Sequence, residues 1–443
     1  MGRKEDRARR ALEVNPIVEC SKIQRKYVPN LFRMFQDAHD PRDMRYITYP
    51  GSVMLGQMYY KGIAGIVSMQ EMTRAFNSDA ASENIYTLLG ERPVEMLPHH
   101  VTENEYLERL DSEEIRKILH KIAYDSIRGK RFNDARFHGE WIVIIDGTQK
   151  YSGGRQLNEA CLERHYNKGT ENETVNYHSD VLEAKLYLGN GLLLSIGSEF
   201  IENDPEAGVR YAKMSDENVK QDCEIKAFKR LAEKLKKEYP RLPMLILMDS
   251  LYAGETVFSV CQKNEWDFII RYKSGSIPSI AEEYEAIPEK GRAGHAEFVN
   301  EIDYNGYKVN MLRYYETEIK GGEEIRTDFQ FLTSLRLTEK NAEKTAETGR
   351  LRWKIENQGF NRQKNWSCDI THACSFNANA LKNHYLINQI SDFIKQLYEW
   401  HFLKKNGIRK THKNISSDFL NALAKHQIKW EDISATEGTN AFC

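Results

Sequence analysis

Three carboxylates and a short run of cations are the residues of this chain whose types and spacing suit chemistry. Asp146 ends EWIVIID, Asp249 ends MLILMD, and Glu356 stands in GRLRWKIENQGFNRQKN between Arg352 and the cations Arg362 and Lys364. Carboxylate oxygens are the donors that hard divalent cations take, and arginine or lysine beside them suits phosphate. Taken singly, an aspartate behind a strand is commonly a turn residue or a helix cap. Arg352 and Glu356, four apart on a helix, are by themselves an ordinary surface ion pair. The combination of three acids with a neighbouring cationic segment is what points to work on a phosphate.

The elements that must position these groups follow from periodicity. EWIVIIDGTQ is a short, β-branched apolar run that reads as a buried strand stopping in a turn at Asp146-Gly147. VLEAKLYL and LLLSIGSEFI flank Gly189-Asn190-Gly191, a hairpin signal. QDCEIKAFKRLAEKLKKEY has helical spacing, with Ile225, Phe228, Leu231 and Leu235 on one face. MLILMD, GETVFSVCQKN and DFIIRYK then read as a βαβ unit with parallel strands. If the strands before Asp146 and Asp249 run the same way, both acids lie at the carboxyl edge of one sheet, where open α/β sheets bind ligands.

Around this core the texture changes. Residues 14 to about 135 are mostly helical, 276–335 alternate short strands with turns, and NAEKTAETGRLRWKIENQGF and NALKNHYLINQISDFIKQLYEW are helical again. The expected divisions are a helical N-terminal segment over 1–135, a first α/β part over 136–275 and a β-rich insertion over 276–335. A helical remainder bearing Glu356 follows over 336–400, then a basic C-terminal tail over 401–443.

A chain of 443 residues has interior enough for two to four domains, and 29% charged residues is ordinary for a globular protein. The net charge of -2 averages over local runs: MGRKEDRARR holds five Lys or Arg against two acids, and HFLKKNGIRKTHKN holds five with none. Each run suits either a solvated tail or a nucleic-acid contact. Seven cysteines without a CxxC pair suggest a reducing compartment, and no apolar stretch is long enough to span a membrane, so a cytoplasmic protein is expected. Cys161 with His165, and Cys368, His372 and Cys374, lack a four-ligand zinc spacing and are expected to pack. Tyr252 and Trp353 are likewise expected in the core rather than stacked on an unpaired base.

IIDGTQ, LILMDSLYAG and RWKIENQGF resemble the insertion-sequence DDE transposases, in particular the group whose third acid lies in a Tyr-x2-Arg-x3-Glu-x6-Lys signature. SEFIEN, QDCEIKAFKRL and MLPHHVTENEYLERL add weaker similarity, so the resemblance covers roughly residues 45 to 400. The signature tyrosine falls on Gly349 and its lysine on Gln363, with Lys364 one place further on. The resemblance implies an α/β fold of the ribonuclease-H-like kind, a mixed sheet of order 3-2-1-4-5 with an insertion before the glutamate. It implies Asp146, Asp249 and Glu356 as catalytic acids holding two divalent ions, Mg²⁺ or Mn²⁺, with Asp146 bridging both. It further implies Arg352, Lys364 and Arg362 on DNA, double-stranded DNA as partner, and a homodimer in the synaptic complex. The implied reaction is strand cleavage at transposon ends followed by 3′-hydroxyl strand transfer. A catalytically silent DNA-binding descendant and a nuclease that does not join DNA are the alternatives. A haloacid-dehalogenase-type phosphatase, suggested by IVIIDGTQ, lacks its nucleophile because position 144 is Ile.

Overall fold

The computed structural model describes residues 12–94, 96–203, 223–321 and 323–434; the basic run at residues 1–10 lies outside them. Among the described residues ten strands form one mixed sheet: β1 (Trp141–Gly153), β2 (Leu162–Tyr166), β3 (Thr174–Tyr187), β4 (Leu193–Ile201), β5 (Met244–Met248), β6 (Asp267–Arg271), β7 (Gly291–Ala293), β8 (Ala296–Tyr304), β9 (Tyr307–Lys320) and β10 (Glu323–Thr333). Their order is β2-β3-β1-β5-β6-β10-β9-β8-β7, with β4 also paired to β3. β1, β5 and β6 are parallel neighbours, and every other pairing is antiparallel. This mostly open mixed sheet is consistent with a ribonuclease-H-like transposase fold.

The apolar runs form the sheet centre because both faces are covered, as parallel strands require. Side chains alternate between two cores. Val143, Ile145, Met244, Ile246 and Met248 face one core, whereas Ile142, Ile144, Leu245 and Leu247 face the other. On the first face lies α8 (Glu224–Glu238), which buries Phe228, Leu231 and Leu235 against β4, and on the second lies α11 (Ala342–Arg350). Between β5 and β6 runs α9 (Glu255–Asn264), and α10 (Pro278–Ala286) opens the segment that returns through β7 to β10. That segment adds its strands to the same sheet, since β10 pairs with β6.

β1 does not stop at Asp146-Gly147 as expected. It leaves β5 after Ile144 but stays paired with β3 to Gly153, so Asp146 stands inside a long strand just past its parallel part. The Gly189-Asn190-Gly191 turn does join β3 to β4, and all three residues take positive φ (79°, 54° and 84°).

The N-terminal helices are α1 (Pro16–Tyr27), α2 (Leu31–Asp37), α3 (Gly51–Ile63), α4 (Met69–Phe76), α5 (Asp79–Leu89), α6 (His100–Arg109) and α7 (Ser112–Arg128). They close around α12 (Ala378–Tyr398), which is buried nearly all round and packs on α1, α3, α6, α7 and β4. Asn383 Nδ2 fastens α12 to the end of α6, donating to the Leu107 and Leu110 carbonyls at 2.8 Å each. The helical N-terminal segment therefore shares its core with helices from the other end of the chain.

The expected basic tail over 401–443 is corrected too. Residues 412–425 and 430–434 form α13 (His412–Lys425) and α14 (Trp430–Ser434), which bury Ile415, Phe419, Leu423 and Ile433 and pack on α1 and α5. Apolar spacing under the lysines drives this docking. No described helix is long and apolar enough to cross a membrane.

Candidate active site

Asp146 lies on the face covered by α11 and the chain that follows it. Its side chain is 16% exposed and accepts from the Gly147 amide at 3.0 Å and from Arg352 Nη1 at 3.1 Å. Asp249 follows β5 directly and caps the turn Ser250–Tyr252, its Oδ1 accepting the Leu251 amide at 2.9 Å. Neighbouring parallel strands thus deliver both aspartates to one cleft of about 620 Å³, which Arg352, Trp353, Glu356, Asn357, Asn361 and Lys364 also line.

Glu356 comes from a π-helical turn, Ile355–Phe360, rather than the α-helix that its spacing suggests. Such turns are rare and frequently occur at functional sites. Arg352 Nη2 still reaches Glu356 Oε2 at 3.8 Å, and the glutamate is 53% exposed on the cleft rim. The Arg352 guanidinium therefore stands between Asp146 and Glu356. Lys364 is half-buried, its ammonium lowered by burial against the opposing pull of Asp180, Asp146 and Glu356.

The two departures from the signature have packing reasons. A Cβ at Gly349 would stand 2.8 Å from the Phe331 ring and 2.9 Å from Ile269, so α11 lies too close to the sheet for a tyrosine there. Gln363 is fully buried and donates to Gln389 Oε1 at 2.8 Å and Asp392 Oδ2 at 3.0 Å. Lys364 is the lysine that faces the acids.

Arg362 requires a correction. It is 4% exposed, and its guanidinium binds Asp392 Oδ1 and Glu399 Oε2 at 2.6 Å each. Those carboxylates, not a DNA strand, take its charge. Tyr252 is buried as expected, but Trp353 is 46% exposed at the rim with Arg352 Cζ 5.1 Å from its ring centroid, so it is not a core residue. Cys161, Cys368 and Cys374 are buried.

One acid of the site went unread in the sequence. Glu224, the first residue of α8, accepts from the Tyr252 hydroxyl at 3.0 Å, and a Cβ on Gly147 would stand 2.5 Å from its Oε1. The glycine beside Asp146 is what lets Glu224 close in. An acid opening the helix that follows β4 was the available signal, but in QDCEIKAFKRL it reads as an ordinary first-turn carboxylate.

Electrostatically the cleft has more negative charge than it can hold comfortably. Burial pushes the Asp146 carboxyl up to about 7; Arg352 pulls it back, while Asp249 and Glu224 raise it further. Burial raises Glu224 as well, opposed by Tyr252 and reinforced by Asp249 and Asp180. Oxygen donors in a partly desolvated pocket with this surplus fit a hard divalent cation. Asp146, Asp249 and, at the rim, Glu356 are the carboxylates lining this cleft that could supply such donors. Among the described residues no three His, Cys, Asp or Glu are already gathered around one ion position.

Glu224→Gln tests this surplus without breaking the Tyr252 contact. At pH 8 and without divalent ions the variant is expected to melt at a higher temperature than the parent, because one desolvated charge is gone. The rise in melting temperature on adding Mn²⁺ should be smaller in the variant. An unchanged response to Mn²⁺ would show that Glu224 does not contribute to the cation-attracting field.

No curated protein matches the chain. Residues 220–387, a stretch that includes Asp249, Arg352, Glu356 and Lys364 but begins after Asp146, match the family model described as a transposase DDE domain, which supports a transposase-type function.

Proposed function

We propose that this protein is a DDE transposase that cuts the strand at transposon ends and joins the freed 3′-hydroxyl to target DNA. The observation that carries the reading is the delivery of Asp146 and Asp249 by adjacent parallel strands to a cleft that also holds Arg352, Glu356 and Lys364. The core belongs on this reading to the ribonuclease-H-like class, supported by strand neighbours β4-β3-β1-β5-β6, and the signature group is the one in which Arg352 and Glu356 match.

Two divalent ions, Mg²⁺ or Mn²⁺, held by Asp146, Asp249 and Glu356 would activate the attacking oxygen and stabilise the leaving one in an in-line displacement. The chain's own residues do the positioning. Arg352 is held 12% exposed between two acids, which fixes its fork at the cleft floor for a phosphate oxygen. Lys364, drawn toward Asp146 and Glu356, places a second positive charge one segment further along. Asn357 and Asn361 offer neutral amides on the same wall. Double-stranded DNA is the partner, a dimer holds two ends together, and the helical N-terminal part is the reader of end sequence.

The test is product analysis with purified protein, labelled duplex bearing the ends of the element around the gene, target DNA and Mg²⁺ or Mn²⁺. Joined strands from the parent and none from Glu356→Ala are expected. Cutting without joining would favour a nuclease. Binding without cutting would favour a silent descendant.

A further inference from the structure

A second cleft, of about 440 Å³, opens beside the acidic one, and Asn357 lines both. Its walls come from the β3–β4 turn, the π-helical segments Ile355–Phe360 and Gln363–Ser367, and the chain linking α12 to α13. Inside it Trp366, 45% exposed, lies flat on the His412 ring, with centroids 5.3 Å apart and planes 11° from parallel. The pair is fixed from below. Glu399 Oε1 holds His412 Nδ1 at 3.2 Å, and its Oε2 takes Arg362 Nη1 at 2.6 Å.

Charge in this cleft is not balanced. Arg362 is spent on Asp392 and Glu399, and Lys410 on Asp418 at 2.6 Å. Lys404 and Arg409 are exposed and have no ion-pair partner among the described residues. A rigid aromatic face with one side open, two free cations at the lip and a shared wall with the acidic cleft match a nucleic-acid strand: a base for the ring, phosphates for the cations.

We propose that this cleft binds the DNA strand as it leaves the acidic site, with one unpaired base stacked on Trp366 and the adjoining phosphates on Lys404 and Arg409. The inference rests on the transposase reading, because that reading supplies the strand, but it assigns residues outside the acidic cleft. It also gives a function to the two cations Lys404 and Arg409 of the basic run HFLKKNGIRKTHKN.

The experiment uses the full chain and end-bearing duplex with 2-aminopurine placed at successive positions flanking the cleavage point, in Ca²⁺ to hold the complex. Quenching at one position is expected in the parent, lost in Trp366→Ala and kept in Trp366→Phe. Lys404→Ala/Arg409→Ala should bind the duplex at least about fivefold more weakly, with a salt dependence shallower by about two counterions. Circular dichroism on each variant guards against misfolding, and these side chains are exposed enough to be replaced. If the parent binds and cuts the duplex yet neither set of variants changes quenching or affinity, the second cleft is not a strand site while the transposase reading stands. If the parent binds no end-bearing duplex, both are overturned.

Discussion

On the proposed transposase reading, Asp146→Asn is expected to lose strand cleavage by roughly a thousandfold or more, because it removes a carboxylate that would hold the divalent ion supplying several kcal/mol of transition-state charge stabilisation. The same substitution should make the ion-free protein more stable at neutral pH. The folded Asp146 carboxyl keeps its proton up to about 7, whereas an unfolded aspartate releases it near 4. Between those values the folded chain holds more protons, so each rise in pH favours unfolding; the stability is fully present below about 4 and lost through about 7. Asparagine cannot titrate. Melting temperatures of variant and parent, measured without divalent ions from pH 4 to 8, should therefore diverge in the variant's favour as pH rises. Loss of the Arg352 contact offsets part of that gain, so a difference on the order of one to a few kcal/mol is expected. A difference that stays flat with pH would remove the claim that Asp146 sits under a surplus of negative charge.

Arg362→Ala has the largest expected effect on the fold, about 3 to 5 kcal/mol, because it strands two carboxylates in the interior. Asp392 is fully buried at the side chain, and the Arg362 guanidinium holds its carboxyl below the usual range despite burial. Glu399 is held at about 2 by Arg362 and His412. A depressed carboxyl contributes stability above the unfolded value, near 4, and surrenders it as pH falls toward 2. Urea denaturation should accordingly show the parent losing stability over that acid range and Arg362→Ala lacking this part of the loss. Arg362→Ala/Asp392→Asn should be less damaged than the two single effects added together. Arg362→Ala as stable as the parent would mean that the ion-pair network does not hold the π-helical segments against α12.

Arg352 and Arg362 differ in how much of their role the local sequence carries. Apolar runs ending in Asp146 and Asp249 expose their strand character because burial on both faces demands unbroken β-branched and aliphatic residues. Arg352 and Glu356 can be paired because helical neighbours recur at fixed spacing. Arg362 is indistinguishable from Arg352 by such local rules; its partners Asp392 and Glu399 are 30 and 37 residues away. The same limit hid Glu224, whose approach depends on a glycine in another strand, and the π-helical turns, which hydropathy does not register. The linker after α12 read as a tail because its lysines outnumber the few apolar residues that dock the helix behind it.

The most direct test of the central claim is single-turnover cleavage of end-labelled transposon-end duplex by the folded parent and by Glu356→Gln, with and without Mg²⁺. The account predicts cleavage by the parent only with the ion, and a rate at least about a hundredfold lower in Glu356→Gln. Equal rates in parent and variant, or cleavage that persists without divalent ions, would contradict it.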